Sequence, residues 1–141
     1  MSSNKEVNYV NPDSLPAPFV YSHVAEVRNG RTIYVSGQIS MNSEEQIIGH
    51  GDLAVQTKQV FENIKFALDA AGVNFNDVVK LTFFLTDISK MHVVREIRDQ
   101  YVNTLNPPAS SAVEIRKLIR DELLIEIEAI AVGELVSDLN P

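Results

Sequence analysis

The chain has 141 residues, of which 45% are hydrophobic and 22% charged, a composition typical of a globular protein rather than of a disordered chain. The length predicts a single domain over residues 1–141 with one core that needs no disulfides or metals. The net charge of −7 argues against nucleic-acid binding, which depends on neutralising phosphates. Since the chain contains no cysteine, disulfide scaffolds, thiolate zinc sites and thiol catalysis are excluded.

No segment predicts contact with a membrane. The most apolar run, residues 123–132, is too short to span a bilayer and is interrupted by Glu126 and Glu128. The first ten residues lack the apolar region of a signal peptide. We therefore expect a soluble cytoplasmic protein.

The N-terminal third predicts an extended arm followed by a hairpin. Three of the six prolines lie within residues 1–20, which favours an extended arm over a helix. Residues 24–28 and 31–36 are rich in strand formers and are separated by Asn29-Gly30, which is typical of a type I′ hairpin turn. Gly37 is expected to end the second strand.

A helix is predicted after the loop of residues 39–51. Asp52 is expected to be its N-cap, and Gly72 stands where a glycine commonly follows the C-cap. Apolar residues recur at helical spacing: Leu53, Val60, Ile64, Ala67, Leu68 and Ala71.

The second half predicts a strand, a helix and two more strands. Residues 78–85 are almost continuously apolar, as in a strand covered on both faces. Ser89 is expected to cap a helix that ends before Pro107. Strands at residues 110–115 and 123–132 complete the order β-β-α-β-α-β-β, which predicts an α+β fold with two helices on one face of a mixed sheet.

Several kinds of catalytic centre find no support in the sequence. The three histidines, His23, His50 and His92, lack the spacing of metal ligands, so no metal site is expected. The glycines form neither a dinucleotide nor a P-loop pattern, and the nucleophile motif of serine hydrolases is missing.

Glu126 and Glu128 are the most informative polar residues. They alternate with apolar residues in the last strand, so their side chains share one face about 6–7 Å apart. A solvent-facing or ion-paired strand face explains them. The other explanation is a cleft in which partial burial raises the pKa of a carboxyl for general acid–base chemistry, and spacing alone does not decide between them.

Residues 107–112 also admit two interpretations. Small residues and hydroxyls at this junction can leave backbone N–H groups free to bind an anion. A helix stop followed by a tight turn accounts for the same residues.

Several segments together resemble the RidA/YjgF (Rid) family, also known as endoribonuclease L-PSP. The resemblance covers residues 16–132 in the family's order. It rests on Pro18-Phe19, Val35-Ser36-Gly37-Gln38-Ile39, Asn63, Asp77-Val78-Val79-Lys80, Pro108-Ala109-x-Ser111-x-Val113-Glu114 and Ile125-Glu126-Ile127-Glu128-Ala129-Ile130-Ala131.

The resemblance implies a chorismate-mutase-like fold that assembles as a homotrimer with ligand clefts between subunits. It also implies hydrolysis of reactive enamines and imines to 2-keto compounds and ammonia, without metal or cofactor. The family's catalytic glutamate, which positions or activates water, matches Glu126. Substrate-binding positions by the same resemblance are Phe19, Ser36, Gly37, Arg95, Ala109, Ser110 and Ala112.

The chain departs from the family's pattern at Ser110, where active deaminases have an arginine that grips the substrate carboxylate. Losing a charge-assisted pair costs about 1.5–3 kcal/mol, or roughly 10–150-fold in affinity. Arg95, which replaces a cleft-lining asparagine of the family, can reach the same carboxylate from another wall. Alternatively, Arg95 pairs with Asp99 on the helix surface.

Three functional hypotheses follow. An imine or enamine deaminase that uses Glu126 is favoured over a non-catalytic trimer that binds a small metabolite such as a 2-keto acid. The missing arginine motivates the second hypothesis. Ribonuclease activity ranks last because the chain has no basic stripe.

Overall fold

The computed structural model describes residues 4–135. Residues 1–3 and 136–141, which belong to the predicted single domain, lie outside the described residues, as does the start of the predicted arm. The elements in chain order are β1 (Glu6–Val10), β2 (Val24–Asn29), β3 (Arg31–Ile39), α1 (Leu53–Ala70), β4 (Val78–Leu85), α2 (Met91–Arg98), β5 (Ala109–Glu114) and β6 (Ile125–Gly133). One-turn 3-10 helices, Phe75–Asp77 and Ile88–Lys90, precede β4 and α2.

The main sheet has four strands in the order β3-β6-β4-β5. β6 is antiparallel to both of its neighbours, whereas β4 and β5 are parallel, so the predicted mixed sheet of an α+β fold is confirmed. β1 and β2 form a separate antiparallel pair. The predicted arm is thus extended, as expected, but it contains a strand that the prediction left out.

The core lies between this sheet and the helices. Alternate residues of β4 and β6 are fully buried, and they pack against the buried face of α1. The helices cover one face, as predicted. The other face of the sheet is open. On it Lys80, Thr82 and Phe84 are only half-buried, and Tyr34 is 78% exposed. The expectation that β4 is covered on both faces is therefore met on one face only.

The caps of the helices follow local chemistry. Asp52 accepts a hydrogen bond from the Val55 amide and caps α1, and Gly72 takes a φ of +75°, both as predicted. The predicted cap at Ser89 is wrong. The carboxylate of Asp87 accepts from both the amide and the hydroxyl of Ser89, so the turn begins two residues earlier.

The predicted hairpin at Asn29-Gly30 is also wrong. β2 pairs with β1, and β3 pairs with β6, so the two strands flanking Asn29-Gly30 belong to different sheets. A type I′ turn needs positive φ at both central residues, but only Gly30 has one, at +143°. A Cβ on Gly30 would lie 2.4 Å from Val132 Cγ1, so this glycine serves the close approach of β6 instead.

Gly37 does not end β3, which continues to Ile39. Val35 pairs with Ala129 and Gln38 with Ile127, so the strand carries two residues, Ser36 and Gly37, opposite one residue of β6. This is a β-bulge, which locally re-aims the side chains of a strand.

Gln56 ties three segments together from inside the core. Its side chain is fully buried, and its Nε2 donates to the carbonyls of Gly49 and Glu122 at 3.0 and 2.9 Å. Its Oε1 accepts from the Leu124 amide at 2.8 Å. The side-chain amide of Gln56 therefore fixes both the loop before α1 and the entry into β6.

Within residues 4–135, no helix has the length and apolar character needed to cross a bilayer.

Candidate functional site

An open cleft of about 350 Å³ lies between α2 and β5. Four predicted site residues line it, namely Phe19, Arg95, Ser110 and Ala112. Four further lining residues were not predicted, namely Tyr21, Met91, Arg98 and Ser111.

The two arginines of the cleft differ in their charge balance. Arg98 is 5% exposed, and its Nε and Nη2 donate to Asp99 Oδ1 at 3.0 and 2.8 Å. Asp99 is therefore the partner of Arg98, and the pairing of Arg95 with Asp99 is not formed. Arg95 is exposed and has no carboxylate within 4.0 Å among the residues that the structure describes. The cleft thus offers one uncompensated guanidinium.

The segment before β2 forms the opposite wall. The Ser22 hydroxyl donates to the Pro107 carbonyl at 2.6 Å, and the Ser22 amide donates to the Pro108 carbonyl at 3.1 Å. These bonds anchor the segment that carries Phe19 and Tyr21 beside the start of β5. Val20, between the two rings, has a φ of +56°, which is strained for a β-branched residue and turns the chain sharply between them.

The junction at residues 107–112 therefore has a structural role. The carbonyls of Pro107 and Pro108 hold Ser22, and Ala109 forms a parallel bridge with the same residue. Ala109 does not line the cleft through its side chain. Further along β5, Ser111 Oγ accepts from Lys80 Nζ at 2.8 Å, which places a second positive charge behind this hydroxyl.

Glu126 lies in β6 beside the bulge of β3. A Cβ placed on Gly37 would lie 2.0 Å from Glu126 Oε2, so only glycine at position 37 leaves room for this carboxylate. Burial raises the pKa of the Glu126 carboxyl, and the charge of Glu128 raises it further. Ser36 is exposed, and its carbonyl accepts from Gln38 Nε2 at 3.2 Å.

Asn63, one of the residues that carried the family resemblance, holds the end of β3. Its Nδ2 donates to the carbonyls of Ile39 and Met41 at 3.0 and 2.9 Å. This contact fixes the strand just beyond the bulge and is structural rather than part of the cleft.

A single chain does not bring Glu126 and the cleft together. β4 separates β6 from β5. Glu126 pairs with Phe84 of β4, whereas Ser110 pairs with a residue of β4 three positions earlier, Leu81. Two strand spacings and three residues correspond to roughly 14 Å between their backbones. Moreover, Glu126 alternates with buried residues of β6, whereas Ser110 stands opposite buried Leu81. The two side chains therefore point to opposite faces of the sheet.

The predicted site residues thus form two groups, one around the α2–β5 cleft and one around Glu126 with Ser36 and Gly37. Sequence patterns alone had no signal for Tyr21, since its position depends on the long-range docking of Ser22 on Pro107. Within the described range, no group of three or more His, Asp or Glu side chains is placed to hold a metal ion.

Comparisons with known proteins agree on one family. The family model described as Endoribonuclease L-PSP matches residues 13–133. A RutC family protein of Pyrococcus abyssi is 41% identical over 131 residues, which cover 92% of this chain and 98% of that protein. The human 2-iminobutanoate/2-iminopropanoate deaminase is 41% identical over 102 residues, which cover 72% of this chain and 73% of that protein.

Solved structures agree with the sequence comparisons. A Rid family protein from Yersinia pestis matches with a TM-score of 0.79 and 34% identity, covering 89% of this chain and 98% of that chain. RidA from an Antarctic Psychrobacter matches with a TM-score of 0.67 and 35% identity, covering 89% and 98%. With the mixed sheet, the one-sided helices and the matched residues, these likenesses make the chain a member of the Rid (YjgF/RutC) family.

Proposed function

We propose that this protein is an enamine/imine deaminase that converts reactive 2-imino acids to 2-keto acids and ammonia. The observation that carries the proposal is Glu126, a half-buried carboxylate held against Gly37 with a raised pKa. A carboxyl whose pKa is raised is a stronger base for the proton of water than one at its ordinary pKa. The names of the human and rat relatives, both 2-iminobutanoate/2-iminopropanoate deaminases, support this reaction class.

The reaction needs one water molecule and no external oxidant or reductant. Glu126 orients the water and accepts its proton while the oxygen bonds to the imine carbon. As the C–O bond forms, the C=N π bond breaks and the nitrogen receives from Glu126 the proton taken from the water, which gives a carbinolamine. Glu126 then transfers the hydroxyl proton of the carbinolamine to the nitrogen, the C–N bond breaks, and ammonia leaves as the C=O bond forms. The sum is R₂C=NH + H₂O → R₂C=O + NH₃. The carboxyl returns to its starting state.

The substrate carboxylate is assigned to Arg95. Its guanidinium is the uncompensated positive charge of the cleft, whereas that of Arg98 is bonded to Asp99. Ser110 supplies a neutral hydroxyl in the same cleft. A guanidinium–carboxylate pair is planar and bidentate, so Arg95 fixes orientation as well as affinity.

The proposed site is completed by assembly into a homotrimer. Glu126 and Ser110 point to opposite faces of one sheet, with their backbones roughly 14 Å apart, so a substrate that touches both requires two chains. The open sheet face, with Tyr34 78% exposed, is the surface available for this contact.

The first test replaces Glu126 by Gln and measures release of 2-keto acid from imines that an amino-acid oxidase generates. Loss of a general base lowers the rate about 10²–10⁴-fold, and size-exclusion chromatography should show an unchanged assembly. Glu128→Gln is the matched control, since Glu128 shares the same face of β6, and it should retain turnover. Full turnover by the Glu126→Gln protein would rule out the assigned role.

The second test concerns Arg95. Arg95→Ala should raise KM by about 10–100-fold because a charge-assisted pair is lost. Arg28→Ala is the control, since Arg28 is exposed on β2 and pairs with Glu26 away from the cleft. Unchanged kinetics in the Arg95→Ala protein would show that another group binds the carboxylate.

A non-catalytic trimer that binds a small metabolite is the second candidate function. Ser110 favours it, because the cleft lacks an arginine at the position where the family resemblance implies one. This alternative predicts that 2-keto acids raise the melting temperature by mass action while no imine is consumed. Rapid keto-acid release would reject it.

Ribonuclease activity, which the description of the family model names, is not favoured. With a net charge of −7, the chain lacks the excess of positive charge that phosphate binding requires. RNA cleavage that persists through repurification and disappears in the Glu126→Gln protein would overturn this conclusion.

A further inference from the structure

One wall of the α2–β5 cleft is aromatic and open. Phe19 is 78% exposed, although Phe61 and Phe83 of the same chain are fully buried in the core. Tyr21 lines the same wall and is held edge-on by His23, with ring centroids 5.2 Å apart. No other ring stacks on Phe19 among the residues the structure describes. The Phe19 ring therefore has a face available to a ligand.

The opposite wall and the floor limit what else the ligand can contain. Arg95 contributes one uncompensated positive charge, and Met91 adds a flexible apolar surface next to it. Met side chains adapt readily to flat ring systems. A ligand that satisfies this cleft carries one anionic group and an apolar body.

The floor of the cleft leaves room for a large apolar body. It is formed by Ser110, Ser111 and Ala112, whose side chains are all small. The cleft volume of about 350 Å³ exceeds what the three-carbon skeleton of a small 2-imino acid fills. The remaining space adjoins the aromatic wall, since Phe19 and Tyr21 line the same cleft as Ala112.

We propose that the cleft selects 2-imino acids with aromatic side chains over those with small aliphatic side chains. The substrate ring packs on Phe19 and Tyr21 above Ala112, while its carboxylate binds Arg95. This inference rests on the proposed function for the reaction, but the side-chain preference belongs to the cleft and can be measured separately. Offset-stacked or edge-to-face aromatic pairs supply the discrimination.

The kinetic test compares imines formed from phenylalanine and from alanine by an amino-acid oxidase. The wild-type protein should show about tenfold higher kcat/KM for the phenylalanine-derived imine. Phe19→Ala should lower kcat/KM for the phenylalanine-derived imine about tenfold more than for the alanine-derived imine, so the ratio of the two values falls toward one. Phe66→Ala is the matched control, because Phe66 is 63% exposed but lies on α1 outside the cleft.

A gap-filling variant tests the floor. Ala112→Leu occupies the space assigned to the substrate ring, so it should lower kcat/KM for the phenylalanine-derived imine more than for the alanine-derived imine and abolish the aromatic preference. Equal kcat/KM values for the two imines in the wild-type protein would overturn the inference and leave the deaminase proposal standing. An unchanged ratio of the two kcat/KM values in the Phe19→Ala protein would also overturn the inference.

A binding measurement separates the inference from the reaction. Phenylpyruvate and pyruvate carry the same carboxylate and keto group and differ only in the ring. Calorimetry should give about tenfold tighter binding of phenylpyruvate, and Phe19→Ala should remove the difference. If neither imine is hydrolysed, the deaminase proposal fails. The ratio of the dissociation constants for pyruvate and phenylpyruvate then decides the side-chain preference by itself. Equal affinities would reject that preference.

Discussion

Replacing Gly37 by Ala offers a sharp test of the position assigned to Glu126. The new Cβ would lie 2.0 Å from Glu126 Oε2, 2.7 Å from Cδ and 3.0 Å from Cγ. Normal contact needs about 3.5 Å, so the carboxylate oxygen must retreat by about 1.5 Å. The obstructing atoms are the end of a flexible side chain, and φ at Gly37 lies outside the left-handed region, so the backbone can stay in place.

The expected result is a large loss of activity with little loss of stability. A displacement of about 1 Å at a catalytic group can reduce the rate about 10²-fold, so kcat for imine hydrolysis should fall by at least that factor. The free energy of unfolding, measured by urea denaturation, should change by less than about 1 kcal/mol, because the core is untouched.

Gly51→Ala provides the opposite control. A Cβ at this position meets nothing within 4 Å, but φ is +69°. The substitution therefore strains the backbone by roughly 1 kcal/mol and leaves Glu126 alone. Its stability should fall and its kcat should not. If Gly37→Ala retains wild-type kcat, the carboxylate of Glu126 does not act from the position described, and the reasoning is refuted.

Two further predictions concern stability. Gln56→Leu should lower the free energy of unfolding by about 2–4 kcal/mol, since three buried backbone groups lose their partner. Lys58→Leu on the exposed side of α1 is the control in the same urea titration. Similar losses of stability in the two proteins would contradict the role of Gln56. The folded state raises the pKa of Glu126 above its ordinary value of 4.5, so this group's stabilising contribution is complete below that value and is lost as pH rises through the raised pKa. The Glu126→Gln protein should therefore gain stability relative to wild type as pH rises from 4.5 through the raised pKa, and a difference that does not change with pH above 4.5 would argue against the raised pKa.

Elements with a local cause were predictable from the sequence. Helix α1 has an Asp cap, apolar residues at helical spacing and a glycine after its end, and all three signals act within the helix itself. The alternation in β6 likewise placed Glu126 on the face opposite the buried isoleucines. These features depend on residues that are neighbours in the chain.

Elements decided by competition between segments were not predictable in the same way. Asn29-Gly30 has the sequence of a hairpin, but β3 finds a better apolar partner in β6, and β1 takes the place beside β2. At the second helix, Asp87 outcompetes Ser89 because its carboxylate accepts two hydrogen bonds at once. The hairpin outcome depends on segments far along the chain, whereas the cap depends on a choice between two neighbouring residues that the local pattern does not rank.

The candidate site divides along the same line. Phe19, Arg95 and Ser110 were identified from the family resemblance, and the fold does place them around one cleft. Tyr21 enters that cleft because the neighbouring Ser22 docks on Pro107, 85 residues further along the chain. Such long-range contacts are absent from the residue pattern of any one segment.

The position of β6 has a consequence for how the chain folds. β6 is the last strand of the described chain but lies between β3 and β4, so β3 has no partner in the main sheet until residues near 130 are available. Pairing of residues about a hundred positions apart must precede closure of the core, which slows folding compared with locally connected helical proteins. Because Glu126 is carried on this strand, its carboxylate meets Gly37 only once this long-range pairing of β3 with β6 has formed.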